Sequence, residues 1–516
     1  MRSEGMAHST STMSSKAGGR GGRKVGVAPP PRRLASPDDD DTTIDIYGSS
    51  TASPPERSSD KRPSGSERPS HTIFAAVVAF LVVILLIVVV VLGATGNLGS
   101  GNDGKTSNVD PKMFEGTEEC SSVMEILPEY GSDGLHFGST VAVQGDTAVI
   151  GAYNDDTGMG SVYVFTRENK RWKEEANFHL GHGSVGDPNS ESFGSSLALD
   201  GDTFIVGKPN DDIDGDWSGS ALVFRHTSDK NFPWQREGFL RPWRQEERDY
   251  FGQSVGLRSD TAIVGASCNI VGVNSGAAFI FRRYPGSSFW EQEAKLVPGE
   301  DGKDGSSNDE FGKSVALSGD GNVAFIGSWL DADSQNQSMG SVYIYRRTAV
   351  GMWEQEDRLL PPHGEFDTTF GKSLAVNDEF VVIGAPGSPW EPHSVGAVYV
   401  YRLQNHHWSL YGILRSVYSD MSHSFGEYVA IDGDAIVVSS RTNDFQEAGL
   451  SVFLRDGYQW VLHNVIQPDP SRVSGIGFAS SIATDGEILL VGARNADMEE
   501  GVDAGVAYLF GCDSTR

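Results

Sequence analysis

Seven Phe-Gly-type pairs punctuate this chain, at Phe137, Phe193, Phe251, Phe311, Phe370, Phe425 and Phe478, spaced by 56, 58, 60, 59, 55 and 53 residues. The last pair is Phe478-Ala479. Each pair opens the same pattern: a short apolar run such as FGSTVAV, a tight turn such as QGD or DGD, and a second apolar run ending near Ile-Gly-Ala. A longer polar loop then leads to Gly-x-x-Tyr-x-Phe/Tyr, as in GSVYVF from Gly160 and GAVYVY from Gly396. A fourth run is marked by Trp172, Trp234, Trp290, Trp353, Trp408 and Trp460. Runs of four to seven Val, Ile, Ala, Tyr and Phe residues bounded by Gly-Asp or Asn-Asp turns predict strands. Repetition at a fixed period predicts a repeat architecture, and four strands taken seven times is the arithmetic of a propeller.

The expected fold is therefore all-β: a seven-bladed β-propeller of four-stranded antiparallel sheets, preceded by a disordered tail and one transmembrane helix. Period-two runs and 62 glycines exclude a helical solenoid. Kelch and WD40 propellers have shorter periods and carry Gly-Gly or Trp-Asp signatures instead.

The combination of Phe-Gly, Ile-Gly-Ala and Gly-x-x-Tyr-x-Phe at about sixty residues resembles the FG-GAP repeat of integrin α subunits, and Ile383-Gly384-Ala385-Pro386 carries it in full. The resemblance covers residues 120–512. It implies that the Phe-Gly run is the innermost strand of each blade and the Trp run the outermost. The blade that starts at Phe478 ends after its third strand, so Val123–Leu127, ahead of the first Phe-Gly pair, is expected to supply the fourth and close the ring. Cys120 lies three residues before that strand and Cys512 two residues after Phe510. Antiparallel pairing brings the two within reach of a disulfide, in an exterior compartment that permits one. Cys268 is left over.

Connections after the first and third strands share one face, are short, and are often basic (TRENKRW, RRYPGSSFW). Those after the second and fourth strands share the other face and are longer and acidic (NDDTGMG, NDDIDGDWSG, DADSQNQSMG). Loops on a rigid scaffold carry function. The long-loop face is the expected binding surface, with Asp155, Asp156, Asp211, Asp331 and Asp333 as candidate contacts, and the basic face is expected toward the bilayer.

The resemblance also implies calcium between first and second strands, but those turns have two to four residues here and cannot wrap six to eight oxygens. Asp212, Asp214 and Asp216, with Gly215 permitting a sharp turn, form an alternative calcium candidate. Glu300, Asp301, Asp304 and Asp309 form a weaker cluster. Asn336-Gln337-Ser338 is a glycosylation sequon in a long loop.

Ile73 to Leu92 is an unbroken apolar run, about 30 Å as a helix, the thickness of a hydrocarbon core. Arg57, Lys61, Arg62 and Arg68 precede it closely, and only Lys105 and Lys112 follow closely. The positive-inside rule then puts the N-terminus in the cytoplasm, with the span acting as a signal-anchor. The expected organisation is a cytoplasmic tail at 1–71, a transmembrane helix at 72–93, a linker at 94–119 and an extracellular or lumenal propeller at 120–516. The tail holds too few large apolar residues to fold.

The net charge of −29 falls almost wholly on the propeller. Nucleic acid is excluded as a partner, because phosphate binding needs clustered Lys and Arg. The innermost strands hold few charges, chiefly Lys313, Lys372 and Glu427, and show no recurring paired acids or nucleophile motif. The expected function is not enzymatic. It is an adhesion- or receptor-like protein that binds an extracellular protein or glycan through the acidic face. The alternative is an enzyme acting on extracellular polysaccharide or glycoprotein.

Overall fold

The structure, a computed structural model, describes residues 123–511 except 129–132, 155–158, 180–191, 245, 269–274, 285, 300–308, 333–337, 363–367, 388–395, 406, 417–423, 442–447, 469–476 and 498–500. The expected tail, membrane span and linker, Cys120, Cys512, Asp155, Asp156, Asp333 and Asn336 lie outside the described residues. No helix among the described residues is long and apolar enough to cross a membrane.

The described strands form seven four-stranded antiparallel sheets, each in the order first-second-third-fourth. The first strands are Phe137–Gln144, Ser196–Asp200, Ser254–Arg258, Phe311–Leu317, Ser373–Val376, Val429–Asp432 and Phe478–Thr484. Each contacts the first strand of the next blade, and the last contacts the first, so they line a closed ring. Blade 4 shows how sequence sets the layers. Its second strand, Val323–Ser328, is buried throughout, because sheet faces inside a propeller are covered by neighbouring blades. Its fourth strand, Trp353–Leu359, is mostly polar and open to water along its outer edge. The apolar core is correspondingly divided. One cluster joins Phe325, Val342 and Ile344 of blade 4 to Phe370, Ile383 and Tyr399 of blade 5, and comparable clusters bind other neighbours.

The ring closes as the repeat arithmetic requires. Val123–Ile126 pairs antiparallel with Val506–Gly511, Val123 opposite Phe510 and Ile126 opposite Ala507, and becomes the outer strand of blade 7. The strand stops one residue short of the expected Leu127, which packs against the core of that blade.

The repeated residues are the parts of a lock between blades. The Phe of each pair is buried against an aromatic of its own third strand; Phe311 and Tyr343 lie edge-on at 5.2 Å and Phe370 and Tyr399 edge-on at 5.3 Å. A hydroxyl on the first strand donates to the carbonyl of the next blade's Phe-Gly glycine. The pairs are Thr140–Gly194 (2.7 Å), Ser196–Gly252 (2.8 Å), Ser254–Gly312 (2.7 Å), Ser314–Gly371 (2.6 Å), Ser373–Gly426 (2.9 Å) and Ser481–Gly138 (2.8 Å). The Ile-Gly-Ala glycine must lack a side chain because the same carbonyl fills the space; a Cβ on Gly384 would overlap the Gly426 oxygen.

A second tie holds the rim. Trp234 Nε1 donates to Glu175 (3.0 Å), Trp290 Nε1 to Glu237 (2.9 Å) and Trp353 Nε1 to Glu293 (3.0 Å), each crossing to the preceding blade. On the short-loop face, arginines at the ends of third strands meet acids of the first turn. Arg167 lies 2.7 Å from Asp146, Arg283 2.7 Å from Asp260 and Arg455 3.3 Å from Asp434. These pairs engage three of the face's arginines within their own blades.

Candidate binding mouth of the propeller

Where the first strands begin and the second strands end, three positions of the repeat gather around the axis on the long-loop face. These are the residue before Phe, the residue after Phe-Gly, and the residue after Ile-Gly-Ala. The first of these sits at positive φ in His136, Ser192, Tyr250, Glu310 and Thr369. That conformation is costly outside glycine and concentrates where side chains are held for function.

At blades 4 and 5 the mouth is built around Trp329. Its Nε1 donates to Glu310 Oε2 at 2.8 Å. Lys313 and Lys372 lie 5.7 and 5.0 Å from its ring, close enough for cation–π attraction. Lys313 pairs with Glu310 at 3.5 Å, and Lys372 with Glu427 of blade 6 at 3.0 Å. The array continues to Tyr428, whose hydroxyl shares its surroundings with Arg494, Arg441 and Tyr153; burial and then Glu427 push its pKa up, while the two arginines pull it down. Tyr153 stacks on His136 at 5.3 Å, and His136 Nδ1 lies 3.2 Å from the Arg494 carbonyl. On the other side Cys268, the free cysteine among the described residues, stands near Glu310 and Lys313. Burial pushes its thiol up, so it is a protonated thiol at neutral pH.

The sequence-predicted residues fall elsewhere. Asp211 and Asp331, expected to face a ligand, are instead buried, 6% and 2% exposed. Asp211 accepts from Ser220 at 2.5 Å and pairs with the buried Lys208 at 3.3 Å. Asp331 accepts from Tyr343 at 2.9 Å, from Arg358 at 2.6 Å and from Ser341. Both brace the connection into the third strand and are closed to a partner. The calcium candidates do not converge. Asp212 accepts the Trp217 N–H at 2.7 Å, Asp214 pairs with Arg241 at 3.0 Å, and the Asp216 carbonyl accepts from Arg248. Asp309, from the weaker acidic cluster, is buried. Among the described residues no three His, Cys, Asp or Glu side chains stand together as a metal site.

The family model of the FG-GAP repeat matches residues 121–165, 172–224, 234–281, 290–345 and 353–401. This chain is an FG-GAP repeat protein. Each matched segment runs from an outer strand into the three inner strands of the next blade, the same offset that closes the ring. No curated protein matches the chain. Among solved structures, the FG-GAP propeller is similar to the periplasmic gluconolactonase PpgL of Pseudomonas aeruginosa at 16% identity, covering 68% of this chain and 89% of that one, with a TM-score of 0.45. It is similar to Sqt1 of Chaetomium thermophilum at 13% identity, 72% and 83% coverage and a TM-score of 0.42. The GH74 xyloglucanase of Xanthomonas campestris matches at 12% identity, 72% and 54% coverage and a TM-score of 0.42.

Sequence reasoning noted Lys313, Lys372 and Glu427 only as the few charges of the innermost strands, gave them no binding role, and missed their neighbours. Trp329, Arg441, Arg494 and Tyr153 are the residues that follow the Gly-Ala position in four different blades. Aligning the repeats at that column, rather than reading each loop alone, exposes the ring.

Proposed function

We propose that this FG-GAP propeller is a ligand-binding module of adhesion or receptor type, which docks an acidic group of a glycan or protein in the mouth on its long-loop face. The observation that carries this is electrostatic. Four cations, Lys313, Lys372, Arg441 and Arg494, share the mouth with two carboxylates, Glu310 and Glu427, in a chain of net charge −29. A locally positive array on an acidic molecule draws anions toward it and repels other parts of the same surface. The module is proposed to stand outside a membrane, held by residues 73–92 with the N-terminus in the cytoplasm. Protease protection of a tag at residue 1 in sealed vesicles tests that arrangement.

Binding of full-length protein to uronate-bearing and sulfated glycans, to acidic peptides and to neutral glycans tests the ligand class. The expected result is preference for one acidic set, weakened by salt and reduced about ten-fold by joint Lys313→Ala and Lys372→Ala substitution. Acidic-probe binding that the joint substitution leaves unchanged would sink the proposal. Catalysis is the second reading, favoured by Glu310 and Glu427 on one array; release of reducing ends from a bound glycan, lost in Glu427→Gln, would select it.

A further inference from the structure

Along the outer edge of blade 3, from Trp243 in the connection after blade 2 to Arg347 at the end of blade 4's third strand, the rim opens into a groove of about 470 Å³. Its floor is the recurring tie: Trp353 donates to Glu293, and Arg347 Nη2 meets the same carboxylate at 2.5 Å. Burial pushes Glu293 up, but the Arg347 and Trp353 bonds outweigh it and hold the carboxyl below its usual range, so the floor is a formed ion pair. Its walls are aromatic and open. Trp243 is 70% exposed, Tyr284 52%, and Phe289 beside it 61%, stacked on Tyr284 at 6.0 Å. The main chain at Trp243 is anchored, its backbone N–H donating to Gln292 Oε1 at 2.9 Å.

The repeat supplies an internal control. The cleft between blades 1 and 2 has the same volume and the same kind of floor, Glu175 with Trp234 and His226. Its walls are Glu168, Lys173, Asp229 and Lys230. Tyr284 stands where Glu168 stands, and among the described residues no Phe, Tyr or Trp side chain lines the walls of that cleft. The floor therefore comes with the fold, and the aromatic wall does not. Leaving large rings in water is unfavourable, and covering them is what such a patch is for.

Charge balance narrows the occupant. Arg347 is matched by Glu293, and Arg283 by Glu237 at 3.2 Å and Asp260 at 2.7 Å. A charged ligand would find little uncompensated countercharge. What the groove offers is flat apolar faces beside guanidinium and carboxylate edges that hydrogen-bond hydroxyls. We propose that this groove is a second binding site, separate from the mouth, for uncharged pyranose rings of a glycan chain. Trp243 and Tyr284 cover the C–H faces of the sugar, and Glu291 and Arg282 take its hydroxyls.

Titration of full-length protein with neutral hexa-oligosaccharides of glucose, xylose and mannose, followed by calorimetry and tryptophan fluorescence, tests this. One of the three is expected to bind, with affinity falling about ten-fold or more in Trp243→Ala and Tyr284→Ala, less in Trp243→Phe, and not at all in Lys372→Ala. The exposure of Trp243 makes the fold insensitive to its removal, and near-UV circular dichroism confirms that in each variant. Absence of binding by all three sugars, binding unchanged in Trp243→Ala, loss in Lys372→Ala, or saturable binding of an unstructured neutral peptide that Trp243→Ala abolishes would each overturn the assignment. Failure of the acidic-ligand proposal leaves these outcomes untouched.

Discussion

Six seams of the propeller are alike, and the seam between blades 6 and 7 is not. At the six, a Ser or Thr hydroxyl binds a glycine carbonyl across the gap, beside an Ile-Gly-Ala glycine with no side chain in the way. At the seventh, Tyr428 replaces the hydroxyl residue, Ser439 the Ile-Gly-Ala glycine, and Ala479, at a positive φ of 60°, the Phe-Gly glycine. Ser439 turns inward and accepts the Tyr428 N–H within its own blade at 2.8 Å. The rim changes along the same arc: the indole nitrogens of Trp408 and Trp460 and the Tyr411 hydroxyl are buried without a hydrogen-bond partner. Tyr428, which displaced the lock hydroxyl, stands with Glu427, Arg441 and Arg494 on one side of the mouth. A repeat fold relaxes its packing rule where residues are needed for something other than packing.

The hardest test of that contrast is steric. Gly327→Val should cost roughly 5 kcal/mol or more, because its Cβ overlaps the Gly371 carbonyl and two backbones must part. Ser439→Gly, which restores the regular residue at the odd seam but removes the acceptor of the Tyr428 N–H, should cost only about 1–2 kcal/mol. Urea denaturation of both variants compares them directly, and equal losses would erase the distinction. Next in size is the seam between blades 7 and 1, closed by strand donation. The register of Val123 opposite Phe510 carries the expectation that Cys120 and Cys512 are joined. Reduction should then cost about 4 kcal/mol, less any strain, and non-reducing peptide mapping should find the pair linked.

The rim gives a smaller difference. Trp353→Phe removes an indole bond to the ionised, largely shielded Glu293, for a loss of about 1–2 kcal/mol. Trp408→Phe removes no bond and should be nearly neutral or stabilising. A larger loss at Trp408 than at Trp353 would show that the rim tie is incidental.

Blade number, strand order and ring closure were legible because each depends on residues that recur in register: Phe137 and its six counterparts, Gly384 and its counterparts, the Trp series. The site was illegible for the opposite reason. Trp329, Arg441 and Arg494 are singular at positions that vary between blades, and only the closed ring brings them together. Asp211 and Asp331 misled because an acidic loop reads as solvated in sequence, whereas these two turn inward to satisfy buried hydroxyl and N–H groups.

The smallest expected effect lies at the other face of the odd seam. At two other seams the acceptor ending a first strand or turn binds a backbone N–H of the adjoining blade: Asp200 takes Ser259 at 2.6 Å, and Asp485 takes Gly145 at 2.7 Å. Asp432 occupies the Asp200 position in blade 6, but burial first and the facing Asp485 second raise its pKa. Asp485 is committed as an acceptor to Gly145 and Ile488, so Asp432 is the carboxyl that prefers the proton. A raised native pKa means that stability falls as pH climbs from the unfolded value near 3.8 through the native one, and the penalty stays in full above it. Asp432→Asn should therefore raise Tm at pH 7 by about 1 °C, and the gain should vanish by about pH 4. Asp200→Asn should have the reverse sign at pH 7, since it discharges a carboxylate that accepts a backbone N–H. Paired thermal scans at the two pH values decide it: if both variants lose stability at pH 7, the 6/7 seam is as well fitted on this face as its neighbours, and its irregularity belongs to the mouth alone.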